Sequence, residues 1–276
     1  MAETLGERLN HPEGVAWDPL TGTLVAGGWA GEIYRLDPKD GAQRQIGQSE
    51  GSLLGVAVDG AGRVFACDCL RRLVLCLAPD GSVSTYSSGP IDAPFVLPNF
   101  AAFGPDGVLY VSDSGTWGQA DGRLIRILPD GRAEVWSTAC PGFPNGICLS
   151  ADGRWLYVAE STDPKVSLIR IAEDGKAGQL ETVCELSGTV PDGIALAKDG
   201  SLFVTCYRPD RIVRIRTSGE IETVVDDWQA AVFAAPTNLA FFGPTLAEAA
   251  VACLGGEWIA CFDAGCRGSP LHYPLL

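Results

Sequence analysis

The chain has 276 residues, 46% of them hydrophobic and 20% charged, with 34 glycines and 18 prolines; disordered chains are far poorer in apolar residues. Lys and Arg number 20 against 34 Asp and Glu, a formal net charge of −14, so the basic footprint that nucleic acid demands is missing. No stretch approaches the roughly 18 uninterrupted apolar residues of a membrane-spanning helix, and neither nucleic acid nor membrane is expected as a partner.

The opening residues Met1 to Arg8 lack the basic and apolar regions of a secretory signal. The ten cysteines are therefore expected as thiols in a reducing cytoplasm. Cys67 and Cys69 come nearest to a motif, since alternate residues of a strand share a face. No zinc-binding spacing appears, and the only histidines are His11 and His272.

In chain order, six similar segments follow one another. The first runs Pro12-Glu13-Gly14-Val15-Ala16-Trp17-Asp18, then Gly22 to Ala26, then Gly31 to Leu36. The second opens at Leu54-Gly55-Val56-Ala57 and the third at Pro98-Asn99-Phe100-Ala101. The fourth opens at Pro144-Asn145-Gly146-Ile147, the fifth at Pro191-Asp192-Gly193-Ile194 and the sixth at Pro236-Thr237-Asn238-Leu239. Taking Glu13, Leu54, Asn99, Asn145, Asp192 and Thr237 as equivalent gives spacings of 41, 45, 46, 47 and 45 residues, the period of a four-stranded propeller blade. Asp-Gly turns such as Pro105-Asp106-Gly107 and Pro129-Asp130-Gly131 join short apolar runs such as Leu202-Phe203-Val204. The sequence thus predicts an all-β fold: one domain over 1–276, a six-bladed β-propeller with four-stranded blades around a central channel. The clear repeats cover about residues 12–268. The termini are expected to help close the ring, with Leu271-His272-Tyr273 as the last outer strand.

Each of the six equivalent residues opens the innermost strand of its blade, so all should meet at one mouth of the channel. Five of the six carry side-chain oxygen where the following residues are apolar. Buried polar groups are costly unless satisfied. A hard divalent cation would satisfy two carboxylates and two carboxamides, with coordination positions left for water or substrate. Ca²⁺, Mg²⁺ and Mn²⁺ suit such ligands; Zn²⁺ and Fe²⁺ suit them less without histidine. The other account of the column is that it binds channel water or caps strand ends.

Three motifs, His11-Pro12-Glu13-Gly14-Val15-Ala16-Trp17-Asp18, Phe143-Pro144-Asn145-Gly146-Ile147 and Val190-Pro191-Asp192-Gly193-Ile194-Ala195, resemble those of the senescence-marker-protein (regucalcin)/gluconolactonase family. The likeness runs from about residue 11 to 268. It implies one divalent metal, Ca²⁺ first among the candidates, held by Glu13, Asn145 and Asp192, with Asn99 nearby. It also implies hydrolysis of sugar lactones, or of other lactones and esters. Sugar-lactonase members usually carry Arg two residues before the Asn99 position and Asp after it; here stand Leu97 and Phe100. The expected substrate is a sugar lactone or a less hydroxylated lactone or ester, with gluconate chemistry disfavoured by these departures.

The expected chemistry has the metal polarise the carbonyl, and Asp192 or Glu13 accept a proton from the attacking water. Asn99 or Asn145 would act as a supplementary donor to the oxyanion. Asp192 and Asn99 are thus the catalytic candidates, and Asn99, Leu97, Phe100, Trp117 and Arg208 the substrate-binding ones. Asp68, Asp113 and Glu160, at the ends of second strands, would either orient the ligands or accept backbone N–H bonds. No Gly-x-Ser-x-Gly elbow or phosphate-binding loop occurs. Two rival functions are a non-catalytic propeller that binds a cation or a partner, and a phosphotriesterase-like hydrolase. A monomer or small homo-oligomer is expected.

Overall fold

The computed structural model describes residues 2–276. Among them there is no helix; six four-stranded antiparallel sheets form the ring. The six-bladed propeller read from the repeat is the fold.

In five blades the strand order follows the chain outward from the axis, and in the sixth the first three strands do, the outermost being N-terminal. The inner strands, such as Pro144–Leu149 and Pro236–Phe242, are buried at every residue, whereas the outer strands Gln43–Gln48 and Ile221–Asp226 are largely exposed. An inner strand is covered on both faces by neighbouring blades, so it carries a nearly continuous apolar run instead of an alternating one. The cores lie between blades: Tyr110 and Leu124 of the third blade, for example, pack with Ile147, Leu156 and Val158 of the fourth. In the third blade, Gly107 and Gly131 take φ of 83° and 82°, the left-handed conformation that their tight turns need. Those turns lie at the end of the channel opposite the inner-strand starts.

Ring closure differs from the sequence expectation. The outer strand of the sixth blade is N-terminal, Glu3–Leu5, paired antiparallel with Ile259–Asp263 in the register Glu3↔Cys261, Thr4↔Ala260 and Leu5↔Ile259. Leu271-His272-Tyr273 is not a strand. Pro270 and Pro274 flank it, and proline has no N–H to give a ladder. The C-terminal segment instead runs under the channel. Ser269 N donates to Leu196 O (2.8 Å), His272 Nε2 to Ser150 O (3.0 Å) and Tyr273 Oη to Trp17 O (3.0 Å). Above it the channel holds a cavity of about 560 Å³ lined by inner-strand residues, including Val56, Ile147 and Leu239. Among the described residues, no helix is long and apolar enough to cross a membrane.

Candidate active site at the polar mouth

The inner strands enter the channel at the mouth opposite that segment. Gly146 and Gly193, each following a column residue, let adjacent inner strands approach closely. A Cβ on Gly146 would stand 2.7 Å from Gly193 Cα, and one on Gly193 would stand 2.5 Å from Thr237 O. Side chains there would push the strands apart, so these glycines serve close packing at the axis.

Hydroxyls lock this collar. Ser112 Oγ donates to Asn145 O (2.6 Å), Thr205 Oγ1 to Thr237 O, and Thr237 Oγ1 to Glu13 O (2.8 Å). Each bond ties one blade to the backbone of the next blade's column residue. Thr237 thereby spends its hydroxyl on the backbone. Leu54 is apolar and buried. Four oxygen-bearing column residues remain, Glu13, Asn99, Asn145 and Asp192, with exposures of only 6%, 3%, 4% and 7%.

The carboxamides are oriented by their bonds. Ser161 Oγ donates to Pro191 O (2.6 Å) and so accepts from Asn145 Nδ2 (3.3 Å). Ser114 Oγ donates to Pro144 O (2.7 Å) and accepts from Asn99 Nδ2 (3.0 Å). The network, not the side chain's shape, decides which end of each amide is engaged. Asn99 Oδ1 and Asn145 Oδ1 are left buried without a protein partner, at a cost of about 1–3 kcal/mol each. The sequence suggested an amide donor for the oxyanion; each Nδ2 gives one hydrogen to a serine, and each Oδ1 is a free acceptor.

Both carboxyls lie above their ordinary range. Burial, then the charge of Asp192, holds the Glu13 carboxyl well above its ordinary range. Burial pushes Asp192 up to about 7, against the opposing effect of a hydrogen bond to Asn145. Two buried like charges and two unpartnered neutral oxygens are a donor set of hard ligands. These residues fit a divalent cation: Glu13, Asn145 and Asp192 would hold it, with Asn99 Oδ1 beside them. Among the described residues no three His, Cys, Asp or Glu are grouped to hold a metal; the set at this mouth is two carboxyls with two carboxamides.

The second-strand acids lie fully buried and hold loops. Asp113 accepts from Val96 N (2.9 Å) and Leu97 N (2.6 Å) and pairs with Arg123 (2.8 Å). Glu160 accepts from Gly142 N (3.1 Å) and Ser167 Oγ (2.6 Å), and Asp68 from Ser52 N (3.3 Å), Arg71 N (2.9 Å) and Ser49 Oγ. Each fixes the segment that leads into the column residue of its own blade.

The substrate candidates divide. Leu97 is half-buried just before Asn99. Trp117, 59% exposed, stands edge-on to Phe143 at 4.8 Å, two residues from Asn145. Arg208 is at the same mouth, stacked on Tyr207 at 4.6 Å and bonded to Asp210 at 3.1 Å. Phe100 lies apart from these, in the core between the third and fourth blades and along the wall of the channel cavity. The sequence reading missed Asn238, which is buried with both polar side-chain atoms unpartnered. Its signal was an Asn one position beyond the column, after Pro236-Thr237. Cys67 and Cys69 are free thiols held in the thiol form by burial and the nearby Glu13.

A six-bladed propeller with buried carboxylates and carboxamide oxygens converging at one mouth defines the class. Residues 11–254 match the SMP-30/Gluconolactonase/LRE-like region, and the chain belongs to that family. It is 27% identical over 226 residues to 6-deoxy-6-sulfogluconolactonase of Pseudomonas putida, covering 79% of this chain and 74% of that protein. It is 28% identical over 251 residues to regucalcin of Xenopus laevis, covering 84% and 82%. The crystal structure of a calcium-binding regucalcin from Agrobacterium tumefaciens shares the fold, with a TM-score of 0.80 over 98% of both chains at 16% identity. Family membership supports a hydrolase of the lactonase type.

Proposed function

We propose that the protein is a metal-dependent hydrolase that opens a lactone or related carboxylic ester, with a substrate poorer in hydroxyl groups than a sugar lactone. The carrying observation is the convergence of the Glu13 and Asp192 carboxylates with the free Asn99 and Asn145 oxygens at one buried mouth. When bound there, a divalent cation such as Ca²⁺ supplies Lewis acidity toward the carbonyl and a lower pKa for water. Glu13, Asn145 and Asp192 hold the cation, and Asp192 or Glu13 takes the proton from the attacking water. Leu97, Trp117 and Arg208 contact the substrate at the rim. Ten free thiols suit a reducing compartment.

The substrate preference rests on what surrounds the oxygens. Leu54 occupies the one apolar column position, and Leu97 stands two residues before Asn99. Trp29, Leu70, Val96, Trp117 and Trp228 are exposed large apolar side chains on loops that follow strands ending at this mouth or lead into its inner strands. A polyol would leave its hydroxyls facing this rim without partners.

The test is acid release, followed with a pH indicator, from aldonolactones and from alkyl and aryl lactones. Chelator-treated protein is compared with protein resupplied with Ca²⁺, Mg²⁺, Mn²⁺, Zn²⁺ or Fe²⁺. Metal-dependent turnover that favours the apolar rings is expected. Folded protein inactive on every lactone with every metal would overturn the proposal in favour of a binding propeller.

A further inference from the structure

We propose that Ser114 and Ser161 are positioning residues that aim the Asn99 and Asn145 carboxamide oxygens at the axis, and so set the affinity of the mouth for a divalent cation. This rests on the cation-dependent hydrolase proposed above and adds what makes two neutral side chains behave as dedicated acceptors.

The repeats supply the comparison. The residue after the second-strand end position is Ser114 in the third blade and Ser161 in the fourth; in the others it is Trp29, Cys69, Tyr207 and Leu254. Serine thus occurs only in the two blades whose column residue is Asn. Glu13 and Asp192 need no such partner, because either oxygen of a carboxylate accepts. A carboxamide can present a donor or an acceptor, and only its neighbours decide which.

The bond directions follow from chemistry. Pro144 O and Pro191 O are carbonyl oxygens and can only accept, so each serine hydroxyl is committed as a donor to one of them, at 2.7 and 2.6 Å. The same serine oxygen can then only accept, from Asn99 Nδ2 at 3.0 Å and Asn145 Nδ2 at 3.3 Å. The nitrogen end of each amide is thereby turned to its serine, the second N–H of Asn145 being directed at Asp192, and each oxygen is left buried and unpartnered. Pro144 and Pro191 directly precede Asn145 and Asp192, so the two serines also link three column residues through successive blades. A mouth wired in this way offers acceptor oxygens to a positive ligand.

The test is calorimetric titration of chelator-treated protein with CaCl₂ and with MnCl₂, each variant's fold being checked by circular dichroism. Ser161→Ala is expected to weaken cation binding by about 10- to 100-fold, as loss of a ligand-orienting partner commonly does. Ser161→Thr, which keeps the hydroxyl, should stay within about threefold of wild type. In an Asn145→Asp background no amide needs orienting, so adding Ser161→Ala should change affinity by less than about twofold. An equal loss in both backgrounds would mean that Ser161 only spaces the strands, and would overturn the proposal, as would wild-type affinity in Ser161→Ala. Wild-type protein that takes up neither ion would overturn the cation-dependent hydrolase and the serine role together, a result distinct from either of those.

Discussion

Glu13 and Asp192 carry opposite implications for stability and function. Both carboxyls sit above their ordinary range because of burial, and Glu13 also because of its partner's charge. A carboxyl whose folded-state pKa is raised contributes its full stability below its unfolded pKa and loses it as pH rises through the folded value. Chelator-treated protein should therefore lose stability as pH climbs from about 4 through about 7, and saturating Ca²⁺ should flatten that decline; melting curves across pH check both. Asp192→Asn removes one of the two charges at similar volume. At pH 8 the chelator-treated variant should melt above wild type, by about 2–4 °C for each kcal/mol recovered, while its cation affinity falls at least about 100-fold. A variant that melts lower and still binds would place the charge elsewhere. Glu13, Asn145 and Asp192 could be found in the sequence because the repeat aligned them. Ser161 and Asn238 could not, since their meaning lies in bonds made, or missed, between blades.

At the scale of the strand, the column works because inner strands nearly touch. Gly146→Ala would force its Cβ against the backbone of the fifth blade, at a cost of about 1–3 kcal/mol. Spreading the fourth and fifth blades would also separate Asn145 from Asp192, so cation affinity should fall together with melting temperature. Loss of stability with unchanged affinity would show that the ligands do not depend on this spacing. The Asn-Gly and Asp-Gly pairs of these strands read in isolation as hairpin turns; only the proline before them and the apolar run after them mark a strand. Phe100 shows the opposite difficulty. It adjoins Asn99, but side chains alternate along a strand, and it enters the core between blades.

For the whole ring, the period near 45 residues was enough to define six blades, because each repeat must bury its faces against two neighbours. The closing strand was not legible: Glu3-Thr4-Leu5 and the 271–273 segment are both short and lack a repeat signature. Removing residues 1–5 should expose the edge of Ile259–Asp263, lower the melting temperature and promote association through that edge. Light scattering of the truncated protein checks this, and an unchanged monodisperse species would show that the pairing is dispensable. The proposed function rests on the four blades whose oxygens face one mouth. Its most direct test is to titrate chelator-treated protein with Ca²⁺, at protein concentrations above the dissociation constant, while acid release from an alkyl lactone is followed. A rate that climbs from near zero and breaks at one ion per chain is the predicted result. A rate already maximal after chelation, and indifferent to added cation, would contradict the account.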